Sequence, residues 1–188
     1  MKKLFLLTLI LTAFTMNAQT EKGTWMFEGD TNLTFAGSAV EDEFDNETSI
    51  GTFAFKPAVN YFIADNLAVG LGLEFSSTAT EVNDFESTSG TFALMPQASY
   101  FFGNSKTRPY VGLELGYMST STDNDNGDEA TFTGFGFGLN GGVAIFLSDS
   151  VSLNIGAAFS SASLKEKDTD IEMDAGGFGL TAGFSIFL

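Results

Sequence analysis

The side chains that could do chemistry in this chain are few and mostly acidic. There are 24 Asp and Glu against eight Lys and Arg, with no His and no Cys. Without histidine there is no zinc site of the usual His type and no His general base. The His-dependent mechanisms of hydrolases and acyl transferases are therefore excluded. No catalytic, cofactor-binding or metal-binding set is expected, and the chain reads as a non-enzyme. A net charge of −16 also excludes nucleic acid as a partner, because phosphates need basic surfaces.

Four acidic stretches hold 17 of the 24 carboxylates, five, three, four and five in chain order. The third, Asp123-Asn124-Asp125-Asn126-Gly127-Asp128-Glu129, offers oxygen ligands at alternate positions, as calcium loops do. Its glycine stands fifth where an EF-hand needs it sixth, and Gly134 takes the twelfth place that calls for a bidentate glutamate. The stretch is expected to be a solvated loop with carboxylates that attract divalent cations. Five further charged residues lie within alternating segments: Glu28, Asp30, Lys56, Glu74 and Glu114. Each falls among small residues on one parity of an alternating pattern.

That pattern defines the elements that hold them. From Gly177 to Leu188 the apolar residues Phe178, Leu180, Ala182, Phe184, Ile186 and Leu188 alternate with small or polar ones, which is the period of a strand. The same alternation runs through about 24–35, 50–62, 67–76, 92–102, 109–117, 134–147 and 151–160. Eight strands are expected. Short turns at Ala64-Asp65-Asn66, Gly103–Thr107 and Ser148-Asp149-Ser150 alternate with long polar stretches, about 37–49, 76–90, 119–130 and 161–174. With Ala64-Asp65-Asn66 as a three-residue turn, Ile63 pairs with Leu67, and counting back sets Lys56 across from Glu74.

Residue size and charge decide which face looks where. The alternate face is Gly, Ala, Ser, Thr and Asn with few charges, which makes a poor water-facing surface and fits a narrow eight-stranded lumen. The large apolar residues then face lipid, with aromatics near both strand ends forming two interfacial belts. Closing the sheet pairs backbone groups that hydrocarbon cannot satisfy and removes the apolar edge of the last strand. The fold expected is all-β: an eight-stranded antiparallel up-and-down transmembrane β-barrel with four long extracellular loops and short periplasmic turns. Its interior charges Glu28, Asp30, Lys56, Glu74 and Glu114 form a polar network or line a pore.

Residues 1–18 are set apart from the barrel at 19–188. Lys2 and Lys3 precede the apolar run Leu4–Phe14, and Ala18 supplies a small residue at a cut, the layout of a secretory signal peptide. The run is too short to cross a bilayer as a helix.

The alternating Gly-rich strands and the Asn17-Ala18-Gln19 ending resemble the OmpA/OmpX-type small outer-membrane β-barrels and are similar to porin-family barrel domains of Bacteroidetes. The resemblance covers the chain after the leader and carries no catalytic motif. It implies residence in the outer membrane of a Gram-negative cell envelope, with membrane lipid and lipopolysaccharide as surroundings. It also implies recognition of the last strand by the barrel-assembly machinery, here with Phe187 followed by Leu188. The expected role is structural or surface-interaction, through the acidic extracellular loops. The alternative is a narrow cation-preferring porin or channel, because four lumen carboxylates face one lysine.

Overall fold

The computed structural model describes residues 20–30, 40–41, 47–82, 85–124, 129–167 and 171–188. The expected leader, the part of the expected first strand that holds Leu33 and Phe35, and parts of the acidic stretches lie outside the described residues. Eight strands run up and down: β1 (Trp25–Asp30), β2 (Glu47–Ala64), β3 (Leu67–Val82), β4 (Phe85–Phe101), β5 (Thr107–Asn124), β6 (Glu129–Ser148), β7 (Val151–Glu166) and β8 (Glu172–Phe187). A two-residue stretch, Val40–Glu41, pairs with Thr48 and Glu47.

Each strand pairs antiparallel with the next, and β1 pairs on its other side with β8, from Met26 against Phe187 to Asp30 against Gly183. Trp25 and Leu188 exchange both backbone hydrogen bonds at 2.9 Å. The last strand therefore has a partner, and the sheet closes into a barrel.

The outer wall is apolar. Leu71, Leu94, Leu113, Phe137, Ile155 and Phe184 all point outward with 40% or more of their surface exposed, an arrangement suited to lipid and untenable in water. Aromatic pairs mark two depths on this wall. Near the short turns, Trp25 lies 5.0 Å from Tyr61 and Tyr100 5.0 Å from Phe102. At the other end, Phe75 meets Phe92 at 5.3 Å and Tyr117 meets Phe135 at 5.6 Å. The strand from Phe92 to Phe102 covers about 25 Å of depth at roughly 3.3 Å per residue and a tilt near 40°. That matches the apolar band of an outer-membrane barrel.

Two expectations need correction. Residues expected as loops continue as paired strand: β3 and β4 stay in register out to Val82 and Phe85, β5 and β6 to Asp123 and Glu129, and β7 and β8 to Lys165 and Glu172. Apolar alternation ends where lipid ends, but pairing does not depend on lipid. The upper rungs are built from Ser and Thr, whose hydroxyls bridge the strands inside the barrel, Ser89 to Thr122 and Thr91 to Thr120 at 2.9 Å each. The turns are also tighter than expected. Ala64 pairs with Leu67 and Ser148 with Val151, each after a one-residue bulge at Ile63 or Leu147. Asn66 at φ 67° completes the first of these turns. The bulge absorbs the residue by which the turn is shorter, so the register below it is unchanged and Phe55 still faces Phe75.

Candidate functional site: a polar lumen above an aromatic floor

The inward parity carries two layers of different chemistry. The lower one, next to the short turns, is apolar. Met26, Phe62 and Phe187 are fully buried, and Phe101, Phe146, Ala68 and Ala144 pack with them. Ring centroids lie 5.8 Å apart for Phe62 and Phe101, 6.3 Å for Phe62 and Phe187, and 5.1 Å for Phe146 and Phe187. Sequence reasoning missed this floor because it expected small and polar residues throughout the lumen. The signal was present: Met26, Phe62, Phe101, Phe146 and Phe187 each break the small-residue parity at the same end of the barrel. Inside a barrel the alternative filling is water rather than lipid, so burying each ring contributes about 1.5–3 kcal/mol.

Beneath the floor the chain before β1 folds across the mouth as a strap. Thr20 and Thr24 are buried. Gly23 donates to the Phe62 carbonyl at 2.9 Å, Asn66 donates to the Thr20 carbonyl at 2.7 Å, and Lys22 N–H donates to Asp65 Oδ1 at 2.9 Å. Gly23 holds φ 101°, which a residue with a Cβ rarely adopts. Arg108 fastens the strap to the floor. Its guanidinium stacks on Phe146 at 4.6 Å, donates to the Ser105 carbonyl at 3.0 Å and donates to Thr20 Oγ1. A contact between residues 20 and 108 has no local sequence signal.

The layer above is polar. Glu28 Oε2 accepts from Asn60 Nδ2 at 2.6 Å and Gln97 Nε2 at 3.1 Å, and Gln97 also donates to Asn60 Oδ1 at 2.9 Å. Glu114 Oε1 accepts from Asn140 Nδ2 at 2.8 Å. Lys56 Nζ sits 2.8 Å from Glu74 Oε2, both side chains partly exposed to the lumen. Asn154 donates to Ser185 Oγ at 2.6 Å and accepts from Ser152 at 2.9 Å, joining this layer to the floor.

Glycines decide how these side chains lie. A Cβ on Gly112 would come within 2.3 Å of Asn140 Oδ1, one on Gly70 within 2.2 Å of Asn60 Oδ1, and one on Gly72 within 2.9 Å of Gln97 Oε1. The amides lie flat against glycines on the neighbouring strand and leave the barrel axis open. The result is a cavity of about 640 Å³ whose lining includes Glu28, Lys56, Glu74, Gln97, Glu114 and Asn140, with Tyr110 and Ser99 toward the floor. Four of the five charged residues singled out from the sequence thus share one space. Asp30 is placed by its backbone opposite Lys56 and Gly183, and its side chain lies outside the described residues. The amides Asn60, Gln97 and Asn140 fall on the inward parity but were given no role from sequence, although they are the groups that hold Glu28 and Glu114.

Residues 4–185 match the model of the outer membrane protein beta-barrel domain family. The chain belongs to that family. It is an outer membrane β-barrel protein. No curated protein sequence matches it. Among solved structures, the barrel is similar to Neisserial surface protein A, with TM-score 0.52, 17% identity, and coverage of 87% of this chain and 93% of that one. It is also similar to the outer membrane protein OprG of Pseudomonas aeruginosa, at TM-score 0.50 and 13% identity over 92% and 99% of the two chains. A major outer membrane protein of Thermus thermophilus matches at TM-score 0.50 and 14% identity, over 88% and 99%. At these identities the likeness is one of fold. This outer membrane barrel owes its lumen chemistry to its own residues.

Proposed function

We propose that this outer membrane barrel is non-conducting, a structural element of the envelope that offers its acidic outer rim for surface interactions. The observation that carries the reading is the floor: four phenylalanines and Met26 packed across the base, with the Thr20–Thr24 strap fastened beneath them by Arg108. A lumen stopped this way holds water and polar side chains but offers ions no way out at its base. Residues 1–18 would serve as the export signal. The last strand, ending at Phe187 and Leu188, would be read by the barrel-assembly machinery before closure buries Phe187.

The rim supports the surface role. Asp123, Glu172 and Asp174 are exposed where the strands rise past the upper aromatic belt. Hard divalent cations would bridge such carboxylates to lipopolysaccharide phosphates. A second reading, a narrow cation-preferring channel, draws on the cavity, where Glu28, Glu74 and Glu114 face Lys56.

Planar-bilayer conductance separates the two. Refolded mature protein, shown closed by heat-modifiable gel migration, is expected to leave the bilayer silent. Discrete cation-selective steps that change in Glu74→Gln would overturn the proposal in favour of the channel.

A further inference from the structure

The ladder between β2 and β3 has a gap. Its rungs run from Thr48 against Val82 to Phe55 against Phe75, then resume at Ala58 against Gly72. The two rungs between them, at Lys56 and Pro57, do not form. The cause is Pro57, which has no N–H to give to the carbonyl of Leu73 across the seam. Proline in sheets is normally confined to edges or bulges, and a closed barrel has no edge. Pro57 lies four residues from Phe53 and four from Tyr61, midway between the aromatic belts, where a missing backbone hydrogen bond is most costly.

The ion pair sits in this gap. Continuity of register from Phe55 against Phe75 to Ala58 against Gly72 sets Lys56 across from Glu74, and their side chains meet at 2.8 Å on the lumen side. We propose that Lys56 and Glu74 form a strand staple, a side-chain link that holds β2 to β3 where Pro57 interrupts the backbone ladder. Opposite charges across a strand pair attract modestly on an open sheet, and more strongly in a confined lumen where both side chains are only partly exposed. Their position is set by the gap rather than by ion passage.

A second gap is closed by different means. Between β4 and β5 the rungs stop at Leu94 against Tyr117 and resume at Gln97 against Glu114, around Pro96. There Met95 is buried against the neighbouring strand, its sulfur 2.7 Å from where a Cβ on Gly116 would stand. Each proline gap is thus spanned on the lumen side, one by charge and one by an apolar side chain.

A double-mutant cycle tests the staple. Unfolding rates of the refolded barrel in urea are compared for Glu74→Gln, Pro57→Ala and the pair. With Pro57 present, Glu74→Gln is expected to speed unfolding about tenfold, and with Pro57→Ala, which restores the N–H, by less than about threefold. An equal effect in both backgrounds would overturn the proposal. If Glu74→Gln alone fails to fold, rescue by Pro57→Ala supports the staple and failure in both backgrounds refutes it. Amide hydrogen exchange gives a second reading: Lys56→Met should speed exchange at Leu73, whose N–H faces β2, and leave Leu115, whose N–H faces β4 across from Pro96, unchanged. Uniform acceleration at both seams, or none at Leu73, would count against it.

Discussion

Replacing Phe62 with alanine is expected to lower the unfolding free energy of the refolded barrel by about 3–5 kcal/mol, the largest effect of any single core truncation here. Phe62 is fully buried, touches both Phe101 and Phe187, and its backbone accepts from and donates to the strap at Gly23 and Thr24. The neighbours cannot collapse into the space it leaves, because each is fixed by its own strand in the closed ladder. Phe62→Leu, which keeps most of the volume, should cost less than about 1.5 kcal/mol. Urea unfolding followed by tryptophan emission measures both, since Trp25 lies on the adjoining strand. A loss below about 1 kcal/mol for the alanine variant would mean that the floor is not packed as described.

On the outer wall a large effect of opposite chemistry is expected. Leu113→Arg should destabilise the barrel in lipid vesicles by about 2–4 kcal/mol, because Leu113 points outward midway between the belts and a guanidinium there must leave water. Ser119→Arg, on the same outward parity just past Tyr117, should cost no more than about 1 kcal/mol, since its side chain reaches the interface. Equal costs at the two positions would remove the argument that this face meets lipid. A smaller penalty for both in detergent micelles, which deform more easily, is compatible with the assignment.

These two predictions fall on opposite sides of what could be read from the residues alone. The lipid face was legible because hydrocarbon sorts side chains without exception: Leu71, Leu113 and Ile155 alternate with Gly70, Gly112 and Asn154, and no water-soluble sheet tolerates that outer surface. The register of β2 against β3 was legible too, although the turn was misjudged by one residue, because the bulge at Ile63 returns the count to the same value.

Strand ends were not legible. The criterion was apolar alternation, and Thr120, Thr122 and Thr131 continue the pairing after that signal stops. The floor was hidden for a related reason. Met26, Phe62, Phe101, Phe146 and Phe187 share the inward parity with glycines and serines, and only their common height in the barrel makes them a layer. Arg108 and Thr20 meet only because closure brings β5 beside the strap. The Pro57 gap is visible in the sequence as a proline within a strand, but its consequence for Lys56 and Glu74 depends on which neighbour would have received the missing hydrogen bond.

Directional thiol labelling shows whether the lumen is shut at its base. The chain has no cysteine, so Ala158→Cys places a single thiol on the cavity wall. Asn104→Cys, exposed in the turn between β4 and β5, serves as the accessible control. A membrane-impermeant maleimide added from the periplasmic side should label the control rapidly and leave the cavity thiol unmodified while the barrel remains heat-modifiable. Labelling of Ala158→Cys from that side at a rate close to the control would contradict the account, because it would require an open path through the floor formed by Phe62, Phe101, Phe146 and Phe187.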